Sequence, residues 1–529
     1  MYKLPPDIHD QSGSKDQSEG THFSEVSKIV KGGGISLIGS LGAKGMLFLL
    51  ALFIAKALGP SDIGLYFLGI TICEVLTLVS IMGLPNGITR YVAIYNERND
   101  IQRMKGTVLG AALCSLLVSL LSGALLFLSA DLISSLLHKP ALAPILKLFA
   151  VSIPFECLMK IFTASTRGLK IMEHTAAIEQ ISWIGLRLGL ALLFFYGMNT
   201  GLGGVILAYV IASFICASLA FYYANRWIPL INTQIPAVFE ARKLLKFSLP
   251  MLLSTLIHDI MMKEDVVMLG YFVSAAEVGI YSVAVKVLNL AEVIFQTFRP
   301  IFNPMVAELQ EKKELTRLGH LLKLITRWDV IVSCPLFLSL FLFPEFFLSI
   351  FGKGFIGGSV CLRILIAASV FNAISSYPDS IIFMSGRSEI TLMNGFIALI
   401  TNFIINYLLI PSQGIKGAAL ATAAALLIVA LLRILILFRM MKIQPLSTSL
   451  WKPLMAGSTS FFITYLMHRL TMSNAFHINY TDYRNIIVLF LLSFFMVSYS
   501  SLIYLFKFNK EEIYIKEKIK KKILILINS

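Results

Sequence analysis

The stretch S-D-I-G-L-Y-F at residues 61–67 returns as A-E-V-G-I-Y-S at residues 276–282. One offset along the chain aligns three pairs of residues in and beyond these stretches: Gly64 with Gly279, Tyr66 with Tyr281, and Pro85 with Pro300. After a small change of register, G-L-G-G-V-I-L-A at residues 201–208 returns as G-I-K-G-A-A-L-A at residues 414–421. Because the matches keep the same order, the sequence predicts two homologous halves.

The composition is that of a membrane protein. Of 529 residues, 57% are hydrophobic and 14% are charged, and the mean hydropathy is +0.79. A soluble globular chain is about 45–50% apolar and about 25% charged. The six cysteines lie in apolar runs without a close pair, which argues against a disulfide framework or a metal site. The composition therefore predicts an all-α polytopic membrane protein that binds no metal.

Apolar runs of about 20 residues recur along the chain and predict about fourteen membrane-spanning helices. We expect two pseudo-symmetric bundles of six helices and two additional C-terminal helices. The predicted segments are a disordered cytoplasmic tail (1–31), an N-terminal lobe (32–226), a cytoplasmic linker (227–246), a C-terminal lobe (247–442), the two additional helices (443–506) and a basic cytoplasmic tail (507–529). An even number of helices per half gives both lobes the same orientation in the membrane.

Lysine and arginine are concentrated in alternate loops, and cytoplasmic loops carry the excess of these residues in membrane proteins. With the amino terminus inside, the outer loops hold few of them: Lys139, Lys353, Lys416, Arg469 and Arg484. The sequence therefore predicts a multi-pass protein of the cell membrane with both termini in the cytoplasm. The basic tail accounts for much of the net charge of +15, so the charge indicates membrane lipids and does not require a nucleic acid.

The apolar segments also contain charges, most densely in L-I-H-D-I-M-M-K-E-D-V-V-M-L-G at residues 256–270. A charged side chain at mid-bilayer costs about 2.5 kcal/mol or more, so these residues should face a polar interior or a partner. Asp259 and Lys263 are four residues apart, as are Glu156 and Lys160, and this spacing favours ion pairs along one helix.

The remaining buried charges suggest two kinds of site. Buried cations can hold a phosphate-bearing headgroup, and the substrate-binding candidates are Lys44, Arg187, Lys286 and Arg363. Buried carboxylates can bind H⁺ or Na⁺, and the ion-coupling candidates are Glu74, Glu264, Asp265 and Asp379. The repeat-related Pro85 and Pro300 are candidate helix breaks, since transporters place binding sites near interrupted helices.

Two segments carry a family resemblance. F-I-A-K-A-L-G-P-S-D-I-G-L-Y at residues 53–66 and D-V-V-M-L-G-Y-F-V-S-A-A-E-V-G-I-Y-S at residues 265–282 resemble polysaccharide flippases of the Wzx-like type. These flippases belong to the multidrug/oligosaccharidyl-lipid/polysaccharide exporter superfamily. The resemblance implies two six-helix bundles plus two helices, and a flippase that moves lipid-linked oligosaccharides from the inner to the outer leaflet for cell-surface polysaccharide biosynthesis.

Other functions remain as alternatives. A cation-coupled multidrug exporter of the same superfamily would need an acid-rich, aromatic cavity. A membrane glycosyltransferase or polymerase would need catalytic residues in a large external loop. The predicted outer loops are short, and the longest, residues 472–485, holds His477 and Asp482 but lies between the two additional helices. No phosphate-binding G-x-x-x-x-G-K-[ST] motif is present, so we expect a transporter without a cofactor and not an enzyme. The glycan, the isoprenoid, the choice between H⁺ and Na⁺, and polysaccharide-assembly partners remain open.

Overall fold

The computed structural model describes residues 16–444, 450–472 and 480–505. Side chains are described throughout these ranges except at residues 16–41, 43, 254, 258, 293–298, 300, 301, 472 and 480–484. The predicted basic tail and the first 15 residues of the predicted disordered tail lie outside the described part of the chain. The first helix begins at Asp16, so residues 16–31, predicted as disordered, are helical.

Helices make up each half of the repeat, and no strand occurs in the described ranges. The N-terminal lobe contains α1 (Asp16–Ile81), α2 (Leu84–Glu97), α3 (Ile101–Leu136), α4 (Leu142–Gly168), α5 (Met172–Thr175), α6 (Trp183–Leu192) and α7 (Gly201–Trp227), with π-helical turns at Ala176–Ser182 and Leu193–Gly197. In lipid every backbone polar group must be satisfied within the chain, which is why apolar runs of this length become helices.

The C-terminal half repeats this plan. It contains α8 (Ala241–Phe272), α9 (Ala275–Glu311), α10 (Leu315–Leu342), α11 (Pro344–Ser349), a 3₁₀ helix (Lys353–Gly358), α12 (Ser359–Met384), α13 (Ser388–Gln413) and α14 (Ile415–Met441). The additional helices are α15 (Trp451–Met472) and α16 (Tyr480–Leu505). The connection between the lobes is shorter than predicted, because α7 extends to Trp227 and α8 begins at Ala241.

Ten helical stretches in the described ranges are long and apolar enough to cross a membrane, and the bent α8 makes an eleventh. The predicted class, an all-α polytopic membrane protein, is confirmed, whereas the count of fourteen is not. One of the ten stretches, Lys44–Glu97, is kinked at Gly59, where the backbone leaves the helical conformation with a φ of +81°. Glycine adopts this backbone conformation without a steric penalty, and the chain turns there from the first predicted span into the second.

The two candidate helix breaks differ. The chain is interrupted at Met82 and Gly83, both with positive φ, and Pro85 lies in the first turn of α2. By contrast, α9 has helical residues on both sides of Pro300. A proline inside a helix removes one backbone hydrogen bond, and neighbouring helices can accommodate the loss.

The lobes come into backbone contact at what we call the distal end, formed by the kink at Gly59 and by the loops 137–141 and 273–274. A Cβ on Gly64 would overlap the carbonyl oxygen of Ala275, and a Cβ on Gly279 would overlap that of Pro60. The two repeat-related glycines therefore let α1 and α9 approach to backbone contact. The opposite end, which carries the connection 228–240, is called the linker end.

A buried lysine joins the lobes at the same end. Lys139, in the loop between α3 and α4, donates hydrogen bonds to the carbonyl oxygens of Leu137 (3.1 Å), Val273 (2.9 Å) and Gly270. The last two close the C-terminus of α8, where the helix dipole favours a cation. Burial lowers the pKa of Lys139, and the Glu277 carboxylate opposes this shift. Two of these three hydrogen bonds thus fasten the N-terminal lobe to the second half.

Candidate functional site: a polar cavity between the lobes

A cavity of about 240 Å³ lies between the lobes. Its walls combine side chains from α1, α4, α6 and α7 with two from α8: Glu74, Leu78, Glu156, Met159, Lys160, Trp183, Tyr209, Asp259 and Lys263. The last two belong to the charged stretch of the sequence, so the prediction that this stretch faces a polar interior is confirmed for them.

An ion pair crosses the cavity from one lobe to the other. The Nζ of Lys263 lies 2.9 Å from the Oε2 of Glu74, and the two side chains are 23% and 39% exposed. The sequence predicted that Lys263 pairs with Asp259 on its own helix. In the described part of the chain its ion pair is instead with Glu74, because the packing of α1 against α8 brings that carboxylate within reach. Lys263 was not among the predicted site residues.

The N-terminal lobe contributes a second acid and base. Glu156 is almost fully buried, and its Oε1 accepts a hydrogen bond from the Ser152 hydroxyl at 3.0 Å. Lys160 follows one helical turn later and lines the same cavity. The sequence placed these two residues on one helix face, and both face the cavity in the folded protein.

Arg187 stands behind the cavity wall. Its Nη2 donates to the hydroxyl of Tyr66 at 2.8 Å, and its guanidinium lies 4.4 Å from the ring centre of Tyr209 and 5.5 Å from that of Trp183. The side chain is only 7% exposed. Cation–π contacts of this kind stabilise a desolvated guanidinium, so Arg187 is held by aromatic rings and does not itself line the cavity.

The other predicted cations do not form one cluster. Lys286 lies 5.2 Å from the ring centre of Phe67, near Glu74 and Arg187. Lys44 is partly buried on α1 and has Glu292 as a charged neighbour. Arg363 pairs with Glu345 at 3.0 Å and donates to the carbonyl oxygen of Phe341.

Arg363 is therefore engaged by the last turn of α10 and by α11, and it is not among the residues that line the cavity. The predicted anion site is not assembled from these four residues as a single constellation.

A different arrangement surrounds Asp265. Its Oδ1 accepts hydrogen bonds from the amide nitrogens of Asn402 (2.8 Å) and Asn406 (2.7 Å). Its Oδ2 accepts from the hydroxyls of Tyr281 (2.6 Å) and Thr422 (2.5 Å). The side chain is buried, and no ion pair in the described residues involves it. Four neutral donors from three helices thus hold one carboxylate inside the C-terminal lobe.

The last two acid candidates have separate surroundings. Glu264 is buried beside Asp265, and its Oε1 has no hydrogen-bond partner in the described protein. Asp379 lies 3.3 Å from the Nε of Arg433, whose Nη1 also donates to Asn372 at 3.2 Å. Sequence reasoning missed Arg433, although a lone arginine inside an apolar run is the same signal that selected Arg187.

The fold and the cavity define a class of protein: a membrane protein of two helical lobes that enclose a polar interior between them. The family described as "Polysaccharide biosynthesis protein" matches residues 29–310, more than half of the chain. The chain belongs to this family. The MatE family matches residues 250–408, within the second half. The resemblance to polysaccharide flippases and their superfamily is therefore confirmed.

Two relatives extend over most of the chain. A protein of Haloferax volcanii, provisionally named as a low-salt glycan biosynthesis flippase, is 23% identical over 73% of this chain and 78% of its own length. A protein of Shigella flexneri, provisionally named as an O-antigen transporter, is 24% identical over 72% of this chain and 90% of its own. Both are named for movement of a substrate and not for a chemical reaction, in agreement with the prediction of a non-enzyme.

Solved structures agree on the fold. The lipid II flippase MurJ in an inward closed conformation superposes with a TM-score of 0.69 at 15% identity, covering 89% of this chain and 98% of its own. An inward-facing multidrug transporter of the MATE family superposes with a TM-score of 0.64 at 15% identity, covering 77% and 98%. At this identity the likeness establishes the architecture alone.

Proposed function

We propose that this protein is a flippase that moves a lipid-linked oligosaccharide, an isoprenoid phosphate bearing sugars, from the inner to the outer leaflet of the cell membrane. The product would serve cell-surface polysaccharide biosynthesis. Family membership and the names of the two relatives support this substrate class. The proposal includes cytoplasmic termini, a lipid environment and an association with polysaccharide-assembly proteins.

The observation that carries the proposal is the polar cavity lined by side chains of both lobes. Moving a charged headgroup unaided through hydrocarbon costs tens of kcal/mol by Born estimates. Glu74 from the first lobe and Lys263 from the second meet across this cavity, so a relative movement of the lobes would open and close it. The lobes are in contact at the distal end and, through Gly83 and Ser248, toward the linker end, with the cavity between these contacts. Alternating access requires such contacts to open one at a time.

A second, apolar cavity suits the isoprenoid chain. It has a volume of about 480 Å³ and lies between α10, α12 and the additional helix α15, with Phe337, Phe341 and Phe461 in its walls. Apolar surface removed from water contributes roughly 25 cal/mol per Å², so such a groove can hold a hydrocarbon tail while the headgroup lies in the polar cavity. This gives the additional helices a role beyond the two lobes.

We assign ion coupling to Asp265, with Glu264 beside it. A buried carboxylate surrounded by neutral oxygen- and nitrogen-bearing groups can take up H⁺ directly, or Na⁺ through its oxygens and those of Asn402, Asn406 and Thr422. The other two acid candidates are less suited to this role. Glu74 and Asp379 already have cationic partners.

A cation-coupled multidrug exporter is the second candidate. The MatE match over residues 250–408 favours it, as do the three carboxylates and two aromatic side chains of the polar cavity. Such a lining can bind a cationic, aromatic compound. The family match over residues 29–310 and the provisional names of the relatives favour the flippase.

The test is transbilayer movement of a fluorescent lipid-linked oligosaccharide in proteoliposomes, with and without imposed H⁺ and Na⁺ gradients, beside uptake of a cationic dye. We expect lipid movement above that of protein-free liposomes, accelerated by one of the two gradients. Dye uptake without lipid movement would reject the flippase and favour the exporter.

A further inference from the structure

Asparagine recurs along the buried face of α13, the helix that supplies two of the four groups around Asp265. The buried residues of this helix are spaced four apart: Asn394, Ala398, Asn402, Asn406 and Ile410. Residues four apart are neighbours on the surface of a helix, so these five form one continuous stripe. Three of them are amides, and a polar side chain in a membrane helix normally bonds to another helix.

Two of the three amides have such a partner. Asn402 and Asn406 donate hydrogen bonds to the Oδ1 of Asp265 on α8, at 2.8 and 2.7 Å. Asn394 is fully buried, and neither its Nδ2 nor its Oδ1 has a hydrogen-bond partner among the described residues. An orphaned buried polar atom costs about 1–3 kcal/mol, so the packing of the helices does not explain an amide at this position.

Further orphaned atoms lie on both sides of Asn394. The Oγ1 of Thr391, about one turn nearer the start of α13, is buried and has no partner in the part of the chain that the structure describes. Within the same ranges, the Oε1 of Glu264 and the Oδ1 of Asn406, both close to Asp265, have none either. Water molecules and ions satisfy buried polar atoms that lack a protein partner. The orphaned atoms therefore indicate a polar route between Asp265 and the start of α13.

This route leads toward the linker end. A Cβ on Gly395 would lie 3.5 Å from the Cγ2 of Ile257, and further along both helices Asn402 binds Asp265. Helices α13 and α8 therefore run in the same direction, and α8 begins at the linker end. At a rise of 1.5 Å per residue, Asn394 lies about 12 Å from Asn402 on the linker side. Just after Ile257, beside this amide, α8 bends by 46°.

On the distal side of Asp265 the packing is apolar and tight. Ile410, the next residue of the stripe, is almost fully buried. A Cβ on Gly417 of α14 would come within 2.5 Å of the carbonyl oxygen of Leu409, so the two helices are in backbone contact there. The loop between α3 and α4 covers the end of α8 through Lys139. The Asp265 carboxylate is thus closed off toward the distal end.

We propose that the stripe from Asn402 through Ala398 and Asn394 to Thr391 is the route by which a monovalent cation, H⁺ or Na⁺, moves between Asp265 and the linker side of the membrane. The proposal rests on the proposed role of Asp265 in ion coupling and deepens it. Amide and hydroxyl oxygens can coordinate Na⁺, and the same groups can hold a chain of water molecules that carries H⁺. Ala398 has only a methyl group, which leaves space between the two amides.

The test measures which positions of the stripe a cation can reach. The variants are Asn394→Cys and Ala398→Cys, each in the full-length protein held in nanodiscs. Each variant is exposed to Ag⁺, a monovalent cation of nearly the size of Na⁺ that binds soft thiolates. Thiols that Ag⁺ has not bound are then alkylated in denaturant and quantified for each peptide by mass spectrometry.

Two matched controls and one native thiol accompany these variants. Ile410→Cys lies on the same stripe, on the distal side of the carboxylate. Leu437→Cys lies in an apolar cluster near the linker end, and the leucine it replaces is as deeply buried as Asn394. The native Cys361 is also fully buried. Its rate of reaction in the same sample is the reference for each variant, so a loosened fold raises both rates together.

We expect Asn394→Cys and Ala398→Cys to react at least about tenfold faster than Cys361 in the same molecule, since a thiol in a packed interior reacts only when the fold opens locally. Ile410→Cys and Leu437→Cys should react as slowly as Cys361. Equal rates at all positions would overturn the route. A fast reaction at Ile410→Cys alone would also overturn it, because the cation would then enter from the distal side.

A further variant separates a route from a structural role. Asn394→Leu replaces the orphaned amide by an apolar side chain, a change that is nearly neutral or stabilising where the polar atoms had no partner. We therefore expect a melting temperature no lower than that of the wild type. Stimulation of lipid movement by the ion gradient should fall at least about tenfold, because the ion would cross a longer stretch without polar groups. A lowered melting temperature with gradient stimulation intact would assign Asn394 to packing and overturn the route.

The thiol measurement is independent of the flippase. It requires neither the lipid nor a gradient, so the pattern of reaction decides the route by itself. A wild-type protein that moved no lipid would overturn the proposed function, whereas fast reaction at Asn394→Cys and Ala398→Cys would still support a cation route to Asp265.

Discussion

The repeat-related tyrosines Tyr66 and Tyr281 occupy equivalent places in the two lobes and perform opposite tasks. The Tyr66 hydroxyl accepts a hydrogen bond from the cation Arg187, whereas the Tyr281 hydroxyl donates to the anion Asp265. A phenol can do either, because its oxygen is both donor and acceptor. The same side chain therefore supports a cationic environment in one lobe and an anionic one in the other.

The charges themselves break the symmetry. By the offset that relates Tyr66 to Tyr281, Asp265 corresponds to Leu50, which is buried and apolar. Gly64 and Gly279 differ from this pattern, since both remain glycine and both contact the opposite lobe. The comparison teaches that the halves share the positions that bring them together and differ at the positions that carry charge.

The shared glycines give the largest expected effect. Gly64→Ala and Gly279→Ala each place a methyl group against a backbone carbonyl of the other lobe, and overpacking of this kind costs about 1–3 kcal/mol or more. We expect either substitution to hold the distal end apart and to abolish lipid movement. Cysteine-accessibility labelling of the loop 137–141, together with the proteoliposome assay, measures both consequences.

Gly185→Ala is the matched control, because nothing lies within 4 Å of the added Cβ. Alanine is also the better helix former, by up to about 1 kcal/mol. If Gly64→Ala were inactive and Gly279→Ala fully active, the two positions would not be equivalent. This result would contradict the conclusion that both lobes use the repeat-related glycine to contact each other.

The asymmetric carboxylate gives the next largest effect. In Asp265→Asn the new NH₂ group can face the hydroxyls of Tyr281 and Thr422, which can accept a hydrogen bond as well as donate one. The substitution therefore removes the negative charge that a cation would bind and keeps the shape of the side chain. We expect at least about a tenfold loss of gradient-stimulated lipid movement, with movement in the absence of a gradient retained.

A surface variant of the same chemistry, Glu308→Gln, should leave both rates unchanged, since that side chain is 63% exposed. If an ion gradient still stimulated lipid movement in Asp265→Asn, ion coupling would not depend on this carboxylate of the second lobe.

The paired tyrosines give the smallest and most selective effect. Tyr281→Phe removes one of four donors from Asp265, and Tyr66→Phe removes the hydroxyl acceptor of Arg187. We expect Tyr281→Phe to shift the ion concentration for half-maximal rate by a few-fold and Tyr66→Phe to leave it unchanged. Ion titrations of the two variants against the wild type measure these shifts. Equal shifts would contradict the assignment of Tyr281, and not Tyr66, to the ion-coupling carboxylate.

Much of the architecture followed from the sequence. Apolar runs identified an all-α membrane protein because the bilayer allows few other spanning structures, and the repeat at residues 61–67 and 276–282 indicated two halves. Glu74, Arg187 and Asp265 were predicted as site residues because they are charged and lie inside apolar runs. All three make polar contacts within the fold. The free-energy cost of burying a charge in the membrane can be inferred from the sequence, because it depends on the residue type and on the apolar run around it.

The partners of those charges were decided by the tertiary structure. The sequence paired Lys263 with Asp259 because they are four residues apart on one helix, but α1 packs against α8 and brings Glu74 to Lys263. Arg433 and Asp379 likewise meet only because α14 packs on α12. Helix periodicity determines which face a residue occupies, whereas an ion pair forms over about 4 Å between particular atoms, and that distance depends on which helices are neighbours.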